Sequence, residues 1–492
     1  MALSQTDTGS DSPQQLSFIV DAEQVKDRIV RTVIEHGVPS ISVAAVRGDG
    51  EIWAYASGFA EKETGRSATV DTPYRLASVS KPITAVAIMM LADRGVIELD
   101  QPANDYLGDQ KITAPGGNSD EVTVRRLMAH RGGLPLHYNL IHEGEDHERR
   151  SLDETIALYG KAMLPPGVTE RYSNVGYGVL ERIIEVQSGK SYEQFLTDEL
   201  FEPLGMSSAG VVTTRAHPER AAIPYTRSGE RYRAYDMDTR GAGGIYMTAS
   251  DLVRFGRFFS DAIDDRSSML SKEAAAEMLE KQAPSQKDKQ EFYVLGWVHE
   301  LRGKERQYDT IYHLGSTPGV RAELSIYPDG DFVVATQVNE MNYRALNDAR
   351  EALYEAVMPE IAFRPYASRQ PYRDYDIPAD LQLVWSGKID IGTRRPLPVR
   401  FDFTNPAEPS AIIDGERVAI SRISSNDDGI VTVNTTAIPI PTEDSGRQPY
   451  DLGFQLSHRE TQLVGYVSTN RIASRDRDSG NFAYAVELQP QD

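Results

Sequence analysis

The sequence contains no cysteine among its 492 residues. This absence excludes disulfide bonds, thiol catalysis and metal sites built from thiolates. No apolar run approaches the roughly 18 residues that a membrane-spanning helix needs, so the sequence predicts no such helix. Basic residues are outnumbered, with 52 Lys and Arg against 73 Asp and Glu, so the formal net charge is −21. Such a surface repels nucleic acid and anionic membranes, and we expect neither as a partner.

The beginning of the chain has neither the basic start nor the apolar segment of a secretory signal peptide. Residues 1–20 are mostly polar, which predicts a disordered tail. A cytoplasmic location is the expectation, although a mature periplasmic or secreted form would look the same. Hydrophobic residues make up 40% of the chain and charged residues 25%, as in ordinary globular proteins. The length predicts two or three domains.

Strand signals lie on both sides of a mainly helical block, and this order predicts an α+β fold. The block would be inserted into an antiparallel sheet whose strands come from both ends of the segment. Ser250 and Asp251 are the predicted cap of the last helix in the block. The predicted elements are a helix at 21–36, strands at 40–46, 52–57 and 72–76, helices at 122–130, 174–188 and 250–262, strands at 293–301, 310–313, 322–327 and 332–339, and a closing helix at 343–357.

The last part of the chain carries only strand signals. Residues 361–378 are rich in Pro, Arg, Tyr and Asp, and they predict a linker between a first domain, 21–360, and a C-terminal all-β domain, 379–492. Short strands separated by turns are typical of a small antiparallel barrel or sandwich. The predicted strands lie at 381–391, 398–403, 411–420, 430–438, 452–457, 461–468 and 482–488.

The strongest chemical signal is an extended run that turns into an apolar helix at Ser78. Lys81 follows three residues later, so both side chains leave one face of the helix a turn apart. The helix is apolar almost all round and must be buried, which would lower the pKa of the Lys81 amine. A serine beside a neutral amine is a nucleophile beside a base. The residues alone leave open the alternative that Ser78 only caps the helix.

Two later stretches could supply the other groups that a serine nucleophile needs, an anion-stabilising site and a route for protons. Tyr172-Ser-Asn174 opens a helix at the end of a loop. His313-Leu-Gly315-Ser316 follows a predicted strand, and its glycine would let a substrate approach the strand edge. Taken singly, Tyr172 is more often a packing tyrosine, and His313 is more often a hydrogen-bonded histidine at a strand end.

In this order, the three motifs resemble those of the serine β-lactamase and penicillin-binding-protein superfamily, specifically its class C β-lactamase-like branch of esterases and D-aminopeptidases. That family is marked by Ser-x-x-Lys, Tyr-x-Asn and Lys- or His-x-Gly. The resemblance covers about residues 22–360, and the final segment is more weakly similar to the β-barrel domains appended to some peptidases of this branch. Supporting signatures are Val124-Arg-Arg-Leu-Met-Ala-His130-Arg-Gly-Gly133-Leu134, Pro203-Leu-Gly-Met206, Gly243-Gly244, Thr248-Ala-Ser-Asp251-Leu252 and Gly296-Trp297.

The resemblance implies a role for each matching residue. Ser78 would attack a carbonyl and form an acyl-enzyme, and Lys81 would share its proton. Tyr172 would relay the proton to the leaving group and later activate water. Asn174 would bind the acyl-side amide of the substrate. The backbone N–H groups of Ser78 and Ser316 would form the oxyanion hole beside Gly315.

His313 takes the place of the family's more usual lysine. A lysine there is a permanent cation for substrate carboxylates, whereas histidine is largely neutral at pH 7. This difference favours an esterase, or a peptidase acting on small or D-residue-containing peptides. We expect a small-molecule or short-peptide substrate and no cofactor. The alternatives are a β-lactamase or D,D-carboxypeptidase, and a penicillin-binding sensor module that is acylated and stalls. The oligomeric state stays open.

Two further clusters contain residue types found in metal or phosphate sites, but their patterns indicate such a site less well than the three motifs indicate a serine nucleophile. His137, His142 and His147 stand beside three acidic residues, yet their five-residue spacing matches no helix face, and a polar rim near the cleft is the preferred interpretation over a metal site. We therefore predict no metal. Gly241-Ala-Gly-Gly244 is rich in glycine, but no Lys-Ser/Thr follows it, so we do not expect it to bind phosphate.

Overall fold

The structure is a computed structural model of the chain. It forms two compact units, which we describe separately: the first is Met1–Glu98, Ile141–Glu148 and Leu180–Ala367, and the second is Leu99–Leu140, Arg149–Val179 and Ser368–Asp492. The residues that the structure describes are 22–115, 117–145, 149–214, 217–283, 291–302, 308–357, 377–391, 395–425, 429–439, 449–459, 461–471, 480–481 and 483–491.

An eight-stranded antiparallel sheet forms the centre of the first unit, with the spatial order β3-β2-β1-β13-β12-β11-β10-β9. Its strands come from both ends of the segment, as the sequence predicted. The strands up to residue 338 are β1 (Ser40–Arg47), β2 (Trp53–Glu61), β3 (Arg66–Ser67), β4 (Tyr74–Arg75), β5 (Tyr138–His142), β6 (Gly210–Val211), β7 (Tyr235–Met237), β8 (Ile245–Met247), β9 (Glu291–Tyr293), β10 (Val298–Arg302), β11 (Tyr308–Thr317), β12 (Val320–Tyr327) and β13 (Phe332–Val338).

The helices are divided between the two units. The helices in the described residues are α1 (Ala22–His36), α2 (Ser80–Asp93), α3 (Val124–Met128), α4 (Leu152–Tyr159), α5 (Asn174–Ser188), α6 (Tyr192–Leu196), α7 (Arg240–Gly243), α8 (Ala249–Ile263), α9 (Lys272–Leu279) and α10 (Tyr343–Val357). The predicted bounds of α5 and α10 agree with the structure. Among the described residues, no helix has both the length and the apolar character needed to cross a membrane.

The central strands of the sheet are buried on both faces because helices cover both. Every residue of β12 and β13 is buried. On one face, α1 and α10 pack through side chains such as Ile29, Leu346 and Leu353. On the other face, α8 approaches so closely that a β-carbon on Gly256 would lie 2.5 Å from Val333 Cγ1. Burial of each large apolar side chain contributes about 1.5–3 kcal/mol, which holds the layers together.

Three local predictions in this unit are wrong. The predicted single strand at 293–301 is two strands, β9 and β10, because the chain turns at Gly296 with a φ of 88°. The cap of α8 is Thr248, whose side chain accepts a hydrogen bond from the Asp251 N–H, in place of the predicted Ser250 and Asp251. The helix predicted to start at Ser78 starts at Ser80, after a short 3₁₀ turn.

A nine-stranded antiparallel sheet forms most of the second unit, in the order β17-β16-β15-β14-β23-β21-β20-β19-β18. Its first and last strands are neighbours along the chain, so the sheet curls into a nearly closed barrel, as predicted for this segment. The nine strands of this sheet are β14 (Val384–Asp390), β15 (Leu397–Asp402), β16 (Ser410–Ile413), β17 (Glu416–Val418), β18 (Ile420–Ser425), β19 (Ile430–Pro439), β20 (Pro449–Arg459), β21 (Gln462–Arg471) and β23 (Ala483–Gln491), and the short strand β22 (Gly480–Asn481) lies outside it.

The second unit also joins this barrel to the segment around α3 and α4. Met163 and Leu164 form one apolar cluster with Ile430 and Tyr466 of the barrel. The short strand β22 pairs with β5, with Gly480 opposite Asn139.

The predicted tail 1–20 and nearly all of the predicted linker 361–378 lie outside the described residues. The domain boundaries 21–360 and 379–492 stay predictions.

Candidate active site

Ser78 lies in a strained turn between β4 and α2. The preceding residue, Ala77, has a φ of 50°, a left-handed conformation that costs an ordinary residue about 1–2 kcal/mol. Two hydrogen bonds fix the turn to β8: the Leu76 N–H donates to Ile245 O (2.9 Å), and Ile245 N–H donates to Ser80 Oγ (3.1 Å). Neither the 3₁₀ turn nor α2 has a side-chain cap, so the capping interpretation of Ser78 is wrong.

Lys81 is the buried neighbour of this serine. Its Nζ lies 3.3 Å from Ser78 Oγ and donates a hydrogen bond to the carbonyl oxygen of Ala242 (2.8 Å). The side chain is fully buried, and this burial lowers the pKa of Lys81 well below its ordinary value. A buried amine loses its proton more readily than a solvated one, so the site favours the neutral, basic form of Lys81.

The groups that hold the Lys81 acceptor in place were not indicated by any of the motifs. Ala242 belongs to α7, a short helical turn in the glycine-rich segment where we expected no phosphate site. Glu181, only 4% exposed, accepts a hydrogen bond from Gly241 N–H at 2.7 Å. The Thr84 hydroxyl donates to Gly241 O, also at 2.7 Å. These bonds aim the Ala242 carbonyl at Lys81, and the glycines were the one signal that could have found the turn.

Strand β11 brings Gly315 against the serine turn. A β-carbon on Gly315 would overlap the carbonyl oxygen of Leu76, so only glycine fits at this position. The next residue, Ser316, has an exposed side chain, and it pairs with Arg321 across the hairpin between β11 and β12. The first unit therefore brings together Ser78, Lys81 and Gly315.

His313 lies two residues before Gly315, and both of its ring nitrogens form hydrogen bonds within the protein. Nδ1 is 2.8 Å from Leu314 O, an acceptor, so Nδ1 carries the proton. Nε2 is 3.1 Å from the Tyr293 hydroxyl and accepts its hydrogen. Burial is the main cause that lowers the pKa of His313, to about 3. The imidazole is therefore neutral at physiological pH and supplies no cation, and Tyr293 is a contributor that the sequence motifs did not indicate.

Tyr172 and Asn174 belong to the second unit. Tyr172 is 37% exposed, and its ring centroid lies 4.2 Å from that of His130. Asn174 begins α5 and is buried, with its N–H donating to Leu136 O at 2.8 Å. Between them, Ser173 Oγ accepts a hydrogen bond from Gly176 N–H and donates one to Pro135 O, which secures the first turn of the helix.

Two histidines of the possible metal cluster, His137 and His142, are buried and do not belong to a polar rim, contrary to our expectation. His137 is fully buried and stacks on Tyr159 with ring centroids 3.6 Å apart. His142 is also buried, and its ring centroid lies 5.6 Å from that of Tyr235 in a T-shaped arrangement. His147 lies outside the described residues. Within the ranges that the structure does describe, no three His, Asp or Glu side chains converge as a metal site would require.

Comparison with known proteins gives a consistent result. The family model described as "Beta-lactamase" matches residues 25–357. Penicillin-binding protein 4 of Amycolatopsis lactamdurans is 30% identical over 62% of this chain and 82% of its own. The esterase EstB of Burkholderia gladioli is 34% identical over 37% of this chain, a match that spans only 50% of that esterase. The octameric penicillin-binding protein homologue of Pyrococcus abyssi shares the fold over 95% of this chain and 100% of its own, with a TM-score of 0.58 and 20% identity.

Proposed function

The chain belongs to the β-lactamase family and is a serine hydrolase that acts on amide or ester bonds, and from this premise we propose that Ser78 is its nucleophile and Lys81 the base that activates it. The observation that carries the proposal is the buried Lys81 amine, 3.3 Å from Ser78 Oγ. At this distance a neutral amine accepts the hydroxyl proton as the oxygen attacks.

Acylation proceeds in two steps. Ser78 Oγ forms a bond to the substrate carbonyl carbon, its proton passes to Lys81 Nζ, and the carbonyl electron pair moves to the oxygen. The resulting oxyanion is stabilised by the backbone N–H groups of Ser78 and Ser316. Collapse of this intermediate breaks the bond to the leaving alcohol or amine. Tyr172 delivers the proton that the leaving group needs, and this role is supported by the motif match and by its partly exposed phenol.

In deacylation, water is the nucleophile and the Ser78 oxygen is the leaving group. The Tyr172 phenolate left by acylation accepts a proton from a water molecule, and the water oxygen attacks the acyl carbon. The bond from this carbon to the Ser78 oxygen then breaks, and Lys81 Nζ returns its proton to Ser78 Oγ. Asn174 hydrogen-bonds the acyl-side amide and holds the carbonyl at the nucleophile. No external oxidant, metal or cofactor enters this balance.

The neutral state of His313 supports an esterase or peptidase over a β-lactamase. A substrate carboxylate next to β11 would find an imidazole whose Nε2 accepts a hydrogen bond from Tyr293 and whose Nδ1 proton is already used. It would meet no fixed cation at this position, unlike the lysine of the family pattern. Small esters and amides without a carboxylate beside the scissile bond are therefore the preferred substrates.

The name of the relative from Amycolatopsis supports a second candidate, a protein that binds penicillin or turns over β-lactams. A sensor of this kind would also be acylated at Ser78. It differs in the fate of the acyl-enzyme, because a sensor gives one burst of product and stops, whereas a hydrolase continues.

The test compares three substrates side by side with the wild type and Ser78→Ala: a p-nitrophenyl acyl ester, a D-alanyl anilide and a chromogenic cephalosporin. Ser268→Ala, a change at an exposed serine of the same unit, is the matched control. We expect continuing, Ser78-dependent turnover of the ester or anilide and little of the cephalosporin. Preferred turnover of the cephalosporin would make the protein a β-lactamase. Full activity in Ser78→Ala would refute the nucleophile.

A further inference from the structure

His130 is a buried histidine that the proposed reaction does not use. It follows α3 in the second unit and is 2% exposed. Its φ of 57° is left-handed, a conformation in which histidine is more common than most residues other than glycine, asparagine and aspartate. This geometry ends the helix and turns the chain toward the Tyr172 segment.

His130 accepts hydrogen bonds from the residues on both sides of Tyr172. The carbonyl oxygen of His130 accepts a hydrogen bond from Arg171 N–H at 2.7 Å. Its Nδ1 accepts another from Ser173 N–H at 3.1 Å. Its ring also lies against the Tyr172 ring, with centroids 4.2 Å apart and an angle of 42° between the planes. Three contacts from one residue thus reach three consecutive residues.

His130 is in turn fixed by α3 and α5. Its N–H donates to Leu127 O at 3.1 Å, which continues the hydrogen bonding of the helix by one residue. The Tyr177 ring lies 5.1 Å from the imidazole, and the Tyr177 hydroxyl donates to Met128 O at 2.8 Å. The position of the imidazole therefore depends on two helices and not on a loop alone.

We propose that His130 is a positioning residue for Tyr172, and that its Nδ1 acts as the acceptor that sets the direction of the phenol. The inference rests on the proposed function, in which Tyr172 transfers protons during acylation and deacylation. An Nδ1 that accepts a hydrogen bond carries no proton, so the imidazole is neutral with its proton on Nε2. The Tyr172 side chain is more than one-third exposed, and the two hydrogen bonds from Arg171 N–H and Ser173 N–H to His130, with the ring contact, restrict its orientation.

Two substitutions separate the acceptor from the ring. His130→Asn keeps an acceptor near the position of Nδ1 and tolerates the left-handed backbone, but it lacks the ring. His130→Phe keeps an aromatic ring and lacks the acceptor. With the p-nitrophenyl ester, we expect His130→Phe to lower kcat by about 10- to 100-fold, the scale of a misplaced catalytic group. We expect KM to change little, and we expect His130→Asn to recover most of the loss in kcat.

The matched control is Thr123→Ala, which removes the N-cap of α3 and destabilises the same helix without contacting Tyr172. It should lower Tm and leave kcat unchanged. Hydrogen exchange of the 170–175 peptide, measured by mass spectrometry, should be faster in His130→Phe than in His130→Asn. If His130→Phe does not fold, His130→Leu replaces it, because leucine also lacks an acceptor.

Wild-type kcat in His130→Phe, or a loss in His130→Asn as large as that in His130→Phe, would overturn the positioning role. Tyr172→Phe, measured in the same series, distinguishes this failure from failure of the proposed function. If Tyr172→Phe keeps wild-type turnover, Tyr172 is not the proton relay, and the positioning role fails with it. If Tyr172→Phe is nearly inactive while His130→Phe is not, the positioning role alone fails.

Discussion

Gly315 packs against the carbonyl oxygen of Leu76, two residues before Ser78, so closely that a β-carbon on residue 315 would overlap that oxygen. The carbonyl has no room to withdraw, because Leu76 N–H is bonded to Ile245 O at 2.9 Å. Two backbones therefore meet with no side chain between them. The need for glycine here is steric, and it places β11 directly beside the serine turn.

Gly315→Ala should lower both activity and stability. The new methyl group would push β11 away from the turn, and we expect kcat/KM to fall by about 100-fold or more, because small displacements of reacting groups have effects of this size. Overpacking at a site without free space also destabilises a protein by about 1–3 kcal/mol. Turnover of the p-nitrophenyl ester and the Tm measure the two effects.

Gly256→Ala is the control for overpacking alone. Its methyl group would press on Val333 in the core of the same unit. We expect a lower Tm with unchanged kcat/KM. If Gly315→Ala retained wild-type kcat/KM, the close approach of β11 to Leu76 would have no part in the chemistry.

Lys81→Met should strongly reduce activity and stabilise the protein at neutral pH. Loss of the base should reduce kcat by about 10²- to 10⁴-fold. Burial lowers the pKa of Lys81 in the folded state, whereas the unfolded chain keeps its lysine protonated up to about pH 10.4. The unfolded state thus binds more protons, so the wild type gains stability as the pH rises through this window. The advantage of Lys81→Met should be large near pH 7 and shrink toward pH 10.

Thermal unfolding at pH 7 and pH 9.5 measures this difference. Lys190→Met is the matched control, because Lys190 is an outer lysine paired with Asp198 and Glu199, and these carboxylates raise its pKa. This control should not be stabilised at pH 7. A lower Tm in Lys81→Met than in the wild type at pH 7 would contradict the assignment of Lys81 as a buried neutral amine.

The parts of the fold set by hydrophobic periodicity could be predicted from the sequence. The bounds of α5 and α10 follow from apolar residues at helical spacing, and α2 is buried because it is apolar all round. In the second unit, a strand boundary was missed although a signal was present. The predicted strand at 411–420 is broken at Asp414-Gly415, both with positive φ, where β16 turns back into β17. Asp-Gly is a typical two-residue hairpin turn.

The part of the site that could not be predicted depends on contacts between distant residues. Ala77 carries no local signal for its positive φ, because the surrounding hydrogen bonds impose it. Glu181 looks like an ordinary exposed charge on a helix, yet it is buried and holds Gly241. The motifs indicated which residues could react, but the groups that orient them come from elsewhere in the chain.

Glu181→Leu should weaken catalysis by releasing the turn that carries the Ala242 carbonyl. The Gly241 N–H would lose its acceptor, and Lys81 would lose its fixed partner. We expect kcat to fall by about 10-fold or more. Glu181→Gln keeps an oxygen acceptor and should retain most of the activity. Steady-state kinetics of both variants test the idea, and equal losses in the two would show that charge, and not the acceptor, is what matters.

His313→Gln should change how stability depends on pH. The pKa of His313 is lowered to about 3 in the folded protein, whereas an unfolded histidine titrates near 6.5. Between these values the unfolded chain binds a proton that the folded protein does not, so the wild type loses stability as the pH falls from about 6.5 toward 3. His313→Gln lacks this loss, and the difference between the two proteins should change by up to about 2 kcal/mol between pH 7 and pH 5.

Urea unfolding followed by tryptophan fluorescence measures this change. Trp53 and Trp297 lie in the first unit and Trp385 in the second, so a Trp385→Phe background reports the unit that holds His313. His458→Gln, at a histidine paired with Asp380 in the second unit, is the matched control and should not alter the profile. Groups other than His313 titrate equally in the wild type and in His313→Gln, and they cancel. Parallel pH profiles for the wild type and His313→Gln would therefore mean that His313 gains its proton as readily in the folded protein as in the unfolded chain. In that case the argument that a neutral histidine selects against substrate carboxylates would also fail.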